Sequence, residues 1–301
     1  MKHNHYSRLI YLCICIVFVN TKNVIAFSGV DNLMPEAVGS SEYNSDDESS
    51  KRTFTPELLF GNEKIRQGKV QSGNQGYFQP SFSYHAKTGF NSRINSNYYL
   101  DQKVFDEFVM MAGYDFKLFN YLNSGSEITK YFYTDNSPQS GASVSGNFNF
   151  YTKHNFSLLE SELDFNVDLL KVKSKKKRGN SNVDYSIAWE NYHSFDFNGL
   201  IFAKDQLSIV PQITVSAGTQ NVYILYFQRA QKKFQNVDFS TEIASASKFK
   251  ITSIEFDLPA DYYIDNFKIE PCIHYFIPEN QPALLSISKT FYFTLDLAYE
   301  F

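Results

Sequence analysis

From about Arg52 to the C-terminus, apolar and polar residues alternate with period two, stretch after stretch, with turn residues between the stretches. Successive side chains of an extended chain point to opposite faces, so this pattern predicts strands with one apolar and one polar face. Phe78, Pro80, Phe82, Tyr84 and Ala86 share a face against Gln79, Ser81, Ser83 and His85. Phe108, Met110, Ala112, Tyr114, Phe116 and Leu118 form a similar row, as do Val144, Phe148 and Phe150, with Gly146 interrupting the last. Leu163, Phe165, Val167 and Leu169 oppose Glu162, Asp164, Asn166 and Asp168; Val183, Tyr185, Ile187 and Trp189 oppose Asp184, Ser186, Ala188 and Glu190. Ile209, Pro211, Ile213 and Val215 oppose Gln212, Thr214 and Ser216; Phe267, Ile269, Ile273, Tyr275 and Ile277 oppose Lys268, Glu270, Cys272 and His274. Pro80 and Pro211 each lack a ladder donor, which predicts an irregular spot in their strands.

An apolar strand face can meet either a protein core or lipid. Strands that cross the apolar band of a membrane need roughly 9 to 11 residues, against about 5 to 6 in an average soluble strand, and several of these rows reach the longer figure. The last row is the most specific: counting back from Phe301, Tyr299, Leu297, Leu295, Phe293 and Phe291 are apolar at every second place. An apolar edge of that length is an aggregation hazard in an open sheet, and closure removes it. At roughly ten residues per strand and ten per connection, the chain predicts an all-β fold, a closed antiparallel transmembrane β-barrel of about 12 strands, with a range of 10 to 14. An even count puts both termini on the periplasmic side, the Pro-Ala-Asp segment at 259–261 in a periplasmic turn, and the connection around 278–288 outside the cell.

Composition agrees with lipid. The chain holds 29 Phe and 21 Tyr, the material of interfacial girdles, yet alternation keeps the mean hydropathy mildly polar at −0.34. The N-terminus carries Lys2 and Arg8, an apolar run from Leu9 to Val19 and then Val24-Ile25-Ala26, which reads as a signal peptide over 1–26 cleaved near Ala26. The run is too short to span a bilayer as a helix. Residues 27–52, acidic and Ser-rich from Glu36 onward, predict a disordered linker, leaving 53–301 for the barrel.

With the leader go Lys2, Arg8 and Lys22, so 25 basic residues face 32 acidic ones and the formal charge moves from −4 to about −7. Nucleic acid is excluded as a partner by that sign. Only Cys272 remains of three cysteines, which excludes an internal disulfide and a CxxC or Cys/His zinc set; neither metal nor cofactor is expected. The polar faces predict lumen-facing candidates in Glu162, Asp164, Asn166, Asp168, Lys268, Glu270, His274, Thr294 and Asp296, an acidic excess that would favour cations if the lumen is open. Lys175, Lys176, Lys177 and Arg178 sit in a charged hairpin tip suited to anionic lipid headgroups or lipopolysaccharide phosphates. His154 with Ser157, and His193 with Ser194, are the pairs a lipid hydrolase would draw on, but each differs in strand parity, so no catalytic residue is assigned.

The closing strand resembles the C-terminal signature of bacterial outer-membrane barrels, which implies that Tyr299 and Phe301 are read as an assembly signal by the barrel assembly machinery. ITVSAGTQN (213–221) and EFDLPADYYIDNFKIEPCIHYFIPENQ (255–281) resemble an uncharacterised porin-like outer-membrane β-barrel family common among Bacteroidota. That resemblance implies a fold and a Gram-negative outer-membrane location and carries no chemistry. Three functions stay open on the sequence: passage of small solutes, a non-transporting structural or surface barrel, and a lipid-modifying hydrolase. Oligomeric state is not legible.

Overall fold

The structure, a computed structural model, describes residues 52–62, 64–66, 69–72, 76–119, 122–135, 137, 143–156, 159–171, 183–202, 204–224, 240–281 and 288–301. The expected leader, most of the linker and the basic run Lys175, Lys176, Lys177 and Arg178 lie outside them. Among the described residues the strands are β1 (Thr53–Gly61), β2 (Lys64–Arg66), β3 (Lys69–Ser72), β4 (Tyr77–His85), β5 (Phe90–Tyr99), β6 (Val104–Phe119), β7 (Leu122–Tyr133) and β8 (Ser143–Phe156). They continue as β9 (Leu159–Lys171), β10 (Val183–Tyr192), β11 (Phe195–Asn198), β12 (Asp205–Ile209), β13 (Gln212–Gly218), β14 (Lys250–Ile264), β15 (Phe267–Pro278) and β16 (Thr290–Tyr299), with helix α1 (Ser240–Ala246) before β14.

The ladder runs β14-β13-β10-β9-β8-β7-β6-β5-β4-β1-β16-β15 and returns to β14, each pairing antiparallel. This is a closed barrel of 12 strands in which every neighbour is the next long strand in the chain. The closing strand β16 lies between the first and the penultimate long strands, pairing Leu58 with Leu297 on one side and Ile273 with Phe293 on the other. Closure leaves no apolar edge, as the alternation requires. The small β11–β12 hairpin is a continuation of β10 and β13 past the β8–β9 turn: β11 pairs with β12, and β12 extends along the end of β14. Pro211 stands at the break between β12 and β13, and Pro80 where the β4–β5 pairing skips two positions, both consistent with a missing amide donor.

Two expectations are corrected. Residues 259–261 are not a turn; they lie within β14, and the reversal occurs at Asp265-Asn266, where Asp265 has a φ of 50°. The segment has a proline, but Pro259 still pairs opposite Cys272 and extended neighbours carry the strand through. Val144 does not share a face with Phe148 and Phe150: a bulge between Val144 and Gly146 inserts one residue and turns Val144 inward. There it joins Val109, Tyr131 and Leu170 in a small buried apolar cluster, with Tyr133 and Val222 packed against it.

The barrel is inverted relative to a soluble protein. Phe108, Met110, Tyr114, Ile128, Phe132, Phe148, Leu169, Tyr185, Trp189, Ile273 and Phe291 point outward and are exposed, while their strand neighbours point inward and are buried and mostly polar. An apolar belt of this extent far exceeds what a soluble surface carries, and lipid is the surroundings that suits it. No helix among the described residues is long and apolar enough to cross a membrane, which says nothing against crossing by strands. Glycines let ring side chains lie flat against the inner wall: a Cβ on Gly125 or on Gly61 would collide with the Tyr151 or Tyr77 ring.

Strand ends sort by rim. His85 and Phe90, Phe119 and Leu122, Phe156 and Leu159, and Ile264 and Phe267 lie at one end together with Thr53, Phe301 and the β11–β12 hairpin; Tyr99 and Val104, Tyr133 and Ser143, Lys171 and Val183, Gly218 and Lys250, and Pro278 and Thr290 lie at the other. In the turn at 86–89 Gly89 has a φ of 90°, a conformation that disfavours a side chain.

Candidate functional site

The inner wall carries the polar chemistry. Alternation places Glu162, Asp164, Asn166 and Asp168 of β9 inward and buried, together with His274 of β15 and Thr294 and Asp296 of β16; Lys268 and Glu270 face the same way, half-buried. The structure adds inward groups that the sequence reading did not single out: Glu57, Arg93, Glu107, Asp115, Glu127, Lys153, Glu255, Asp257 and Asp261. Arg93 of FNSRINSNYY, Glu127 and Lys153 sit on strands whose opposite face is mixed, so the alternation that betrays a lumen row is weak there, whereas Glu107 and Asp115 lie opposite the apolar row of β6. Counting acids at every second place from the Phe and Ile positions would have found Glu255 and Asp257.

Cross-strand pairs tie the wall together. Near the turn rim, Lys153 Nζ lies 2.9 Å from Glu162, the Tyr151 hydroxyl donates to Asp115, and Lys268 bridges Glu270 and Asp261, the latter at 3.5 Å. At mid-height Arg93 pairs with Glu57, which also accepts from the Ser81 hydroxyl, and Asn149 donates to Asp164 at 3.1 Å. Towards the other rim Asn97 donates to Glu107 at 2.7 Å and Asn147 to Asp168 at 2.9 Å. His274 stands opposite Asp257, with 2.6 Å between Nδ1 and Oδ1.

Sign is the feature of this interior. Inward carboxylates come from eight of the 12 long strands, whereas the buried or half-buried permanent cations of the described wall are Arg93, Lys153 and Lys268. In surroundings of low effective dielectric such an excess makes a deep negative potential, which concentrates cations and repels anions. The interior is also crowded: Tyr77, Tyr99 and Phe276 are fully buried within it.

At the loop rim the chain folds inward after β13. Asp184 accepts from the Asn221 and Val222 amides at 2.5 and 3.0 Å and from the Thr219 hydroxyl at 2.8 Å, holding the helical residues 221–224 by their first amides. Gln220 donates to Gln281 at 2.7 Å, and Val222 packs on the apolar cluster of Val109, Tyr131, Val144 and Leu170. Burial beside Asp184 pushes the Tyr223 hydroxyl above its ordinary range. The segment ITVSAGTQN thus ends as a strap across one mouth.

Among the described residues the hydrolase candidates do not assemble. His154 faces outward, its ring edge-on to Phe156 at 4.0 Å, and Ser157 lies outside the described residues. The serine opposite His154 is Ser161, whose hydroxyl donates to Asn191 Oδ1 at 3.0 Å and accepts from Trp189 Nε1 at 2.9 Å, so its proton is directed to an amide and not to a base. His193 packs edge-on to Phe195, and Ser194 donates to Asp196. At the turn rim Tyr299 and Phe301 are exposed and in ring contact at 4.7 Å, and the Phe301 amide donates to Phe54 at 3.0 Å, fastening the C-terminus to β1.

No family model matches this chain, and no curated protein matches it. Among solved structures it is similar to a KdgM porin, at 8% identity and a TM-score of 0.48 over 83% of this chain and 99% of the other. It is similar to a NanC porin at 9% identity and a TM-score of 0.41 over 83% and 99%, and to a bacterial polysaccharide outer membrane secretin at 7% and 0.41 over 85% and 100%.

Proposed function

We propose that this chain is an outer-membrane barrel that passes small solutes and prefers cationic ones, with entry restricted at the loop rim by the inward-folded residues 219–224. The observation that carries the reading is the acid-rich interior of a barrel whose exterior is apolar: a wall of one sign is what selects charge in a water-filled passage. Both ends of the described barrel lie at one rim, which this reading orients to the periplasm. Lipids and lipopolysaccharide are then the outer surroundings, and Lys175, Lys176, Lys177 and Arg178, which follow β9 in the sequence, are the basic run offered to their anionic groups. Tyr299 and Phe301 serve assembly.

The test is planar-bilayer recording of the purified protein under a salt gradient. Stepwise conductance with a reversal potential of the cation-selective sign is expected, and Glu162→Gln/Asp164→Asn/Asp168→Asn should move that potential towards zero. Silence under all conditions would remove the passage reading. The crowding by Tyr77, Tyr99 and Phe276 favours a second reading, a non-conducting structural barrel, and silence would support it. We assign no enzymatic step.

A further inference from the structure

Where β14 and β15 pair, two short sequences meet on the inner wall: Glu255-Phe256-Asp257 and Cys272-Ile273-His274. Period two sends Glu255 and Asp257 inward from one strand and Cys272 and His274 inward from the other, and the register sets His274 directly across from Asp257. Ligand atoms of Glu255, Asp257 and His274 all lie within 4.8 Å of one another. His274 Nδ1 is 2.6 Å from Asp257 Oδ1 and 4.0 Å from Glu255 Oε1, and the Cys272 sulfur is 3.8 Å from the same nitrogen.

These separations bracket those of a metal centre. Bonds of about 2.1 Å to nitrogen and oxygen in tetrahedral array put the donors about 3.4 Å apart. We propose that Glu255, Asp257 and His274 form a binding site for one divalent transition-metal ion of the zinc class on the barrel's inner wall, with Cys272 beside it and not among its donors.

Three further observations point to a ligand and not merely to a cluster. Asp257 is 5% exposed, and its Oδ2 is buried without a hydrogen-bond partner beside the other donors. His274 is oriented as a ligating histidine is: its Nε2 lies 3.0 Å from the Thr294 hydroxyl, and its ring stacks on Tyr292 at 3.9 Å and 4°. In the tautomer whose Nε2–H goes to Thr294, the Nδ1 lone pair faces the two carboxylates, an arrangement that a cation turns from repulsive to favourable; in the other, Nδ1–H goes to Asp257. Tyr292 also donates its hydroxyl to Glu255, fixing the second carboxylate. The described inward permanent cations pair elsewhere, Arg93 with Glu57, Lys153 with Glu162, and Lys268 with Asp261 and Glu270. A nitrogen donor beside two carboxylates suits zinc and its neighbours and not magnesium or calcium, which take oxygen.

The proposal is independent of conduction: a silent bilayer leaves it standing, and a failed titration leaves the passage reading standing. The experiment is titration of the full chain, folded in detergent and stripped with a chelator, with cobalt(II) and then zinc. About one cobalt per chain is expected, with visible d–d absorption lost on adding zinc. Asp257→Asn and His274→Ala should each weaken binding by more than the 10- to 100-fold that loss of an outer-shell partner costs. Cys272→Ser should leave cobalt bound. Heat-modifiable migration and Trp189 fluorescence show that each variant has folded. The competing arrangements are a His274 Nδ1 proton held by Asp257 or a proton shared between Glu255 and Asp257, and they predict no cobalt spectrum in correctly folded wild type. That result, or a spectrum unchanged in the Asp257→Asn/His274→Ala variant, overturns the site.

Discussion

Replacing Arg93 by methionine removes the guanidinium from a carboxylate that has little access to water: the Arg93 and Glu57 side chains are 12% and 6% exposed and pair across two strand boundaries, β1 to β4 to β5. Removing one partner of a buried pair costs about 3 to 5 kcal/mol, because the remaining charge has lost both its counter-ion and its water. Glu57 keeps the Ser81 hydroxyl as a donor, which places the expected loss near the lower end, about 3 kcal/mol, or more than a hundredfold in the folding equilibrium. Glu57→Leu/Arg93→Met removes both charges and should recover most of that loss, since a buried pair is worth little against an apolar replacement of similar volume. Urea unfolding of barrel reconstituted in lipid vesicles reads the difference, followed by fluorescence of Trp189, the chain's one tryptophan, which faces outward. A single variant within about 1 kcal/mol of wild type would refute the reasoning, as would a double variant no more stable than the single.

Lipids brominated in their acyl chains should quench Trp189 strongly in the folded barrel; fluorescence equal to that in unbrominated vesicles would contradict an outward belt in contact with lipid. Deleting Phe301 removes its amide bond to Phe54 and its ring contact with Tyr299, so slower insertion and less heat-modifiable species are expected, and unchanged assembly would argue against the strand's assigned role. At the tip of the β11–β12 hairpin, outside the membrane-crossing strands, burial opposes ionisation of Asp205. The Tyr262 hydroxyl and the amides of Phe202, Ile201 and Leu200 outweigh it, holding the group at about 2. A pKa below the unfolded value of about 3.9 means that Asp205 stabilises the hairpin above pH 4 and that the contribution fades as pH falls through 2. Pepsin cleavage at 200–202 should therefore rise between pH 4 and pH 2 relative to Asp205→Asn, and a parallel response of the two proteins would dismiss the effect.

Much of the fold is legible along the chain because strand alternation is local. Phe165 and Asp164 go to opposite faces whatever surrounds them, so the rows, the closed antiparallel barrel and its 12 long strands could be read without knowing which strand meets which. The same holds for Glu162, Asp164, Asp168, Thr294 and Asp296 on the inner wall, each flanked by apolar neighbours. Local pattern fails where one residue is inserted or a pairing skips. The bulge before Gly146 reversed Val144, and Pro259, which looked like a turn, was carried through by extended neighbours on both sides.

Long-range register decided the rest. Glu57 and Arg93 are 36 residues apart, and Asp257 and His274 are 17 apart on strands whose offset is fixed by the Asp265-Asn266 turn. The strap at 219–224 exists because Asp184, on another strand, presents both carboxylate oxygens to its amides. By itself the sequence determined that one face of the chain would meet lipid and the other would be polar and acidic. Only the closed tertiary structure decided which acids stand together, because a one-residue change in register exchanges faces and a two-residue change exchanges partners.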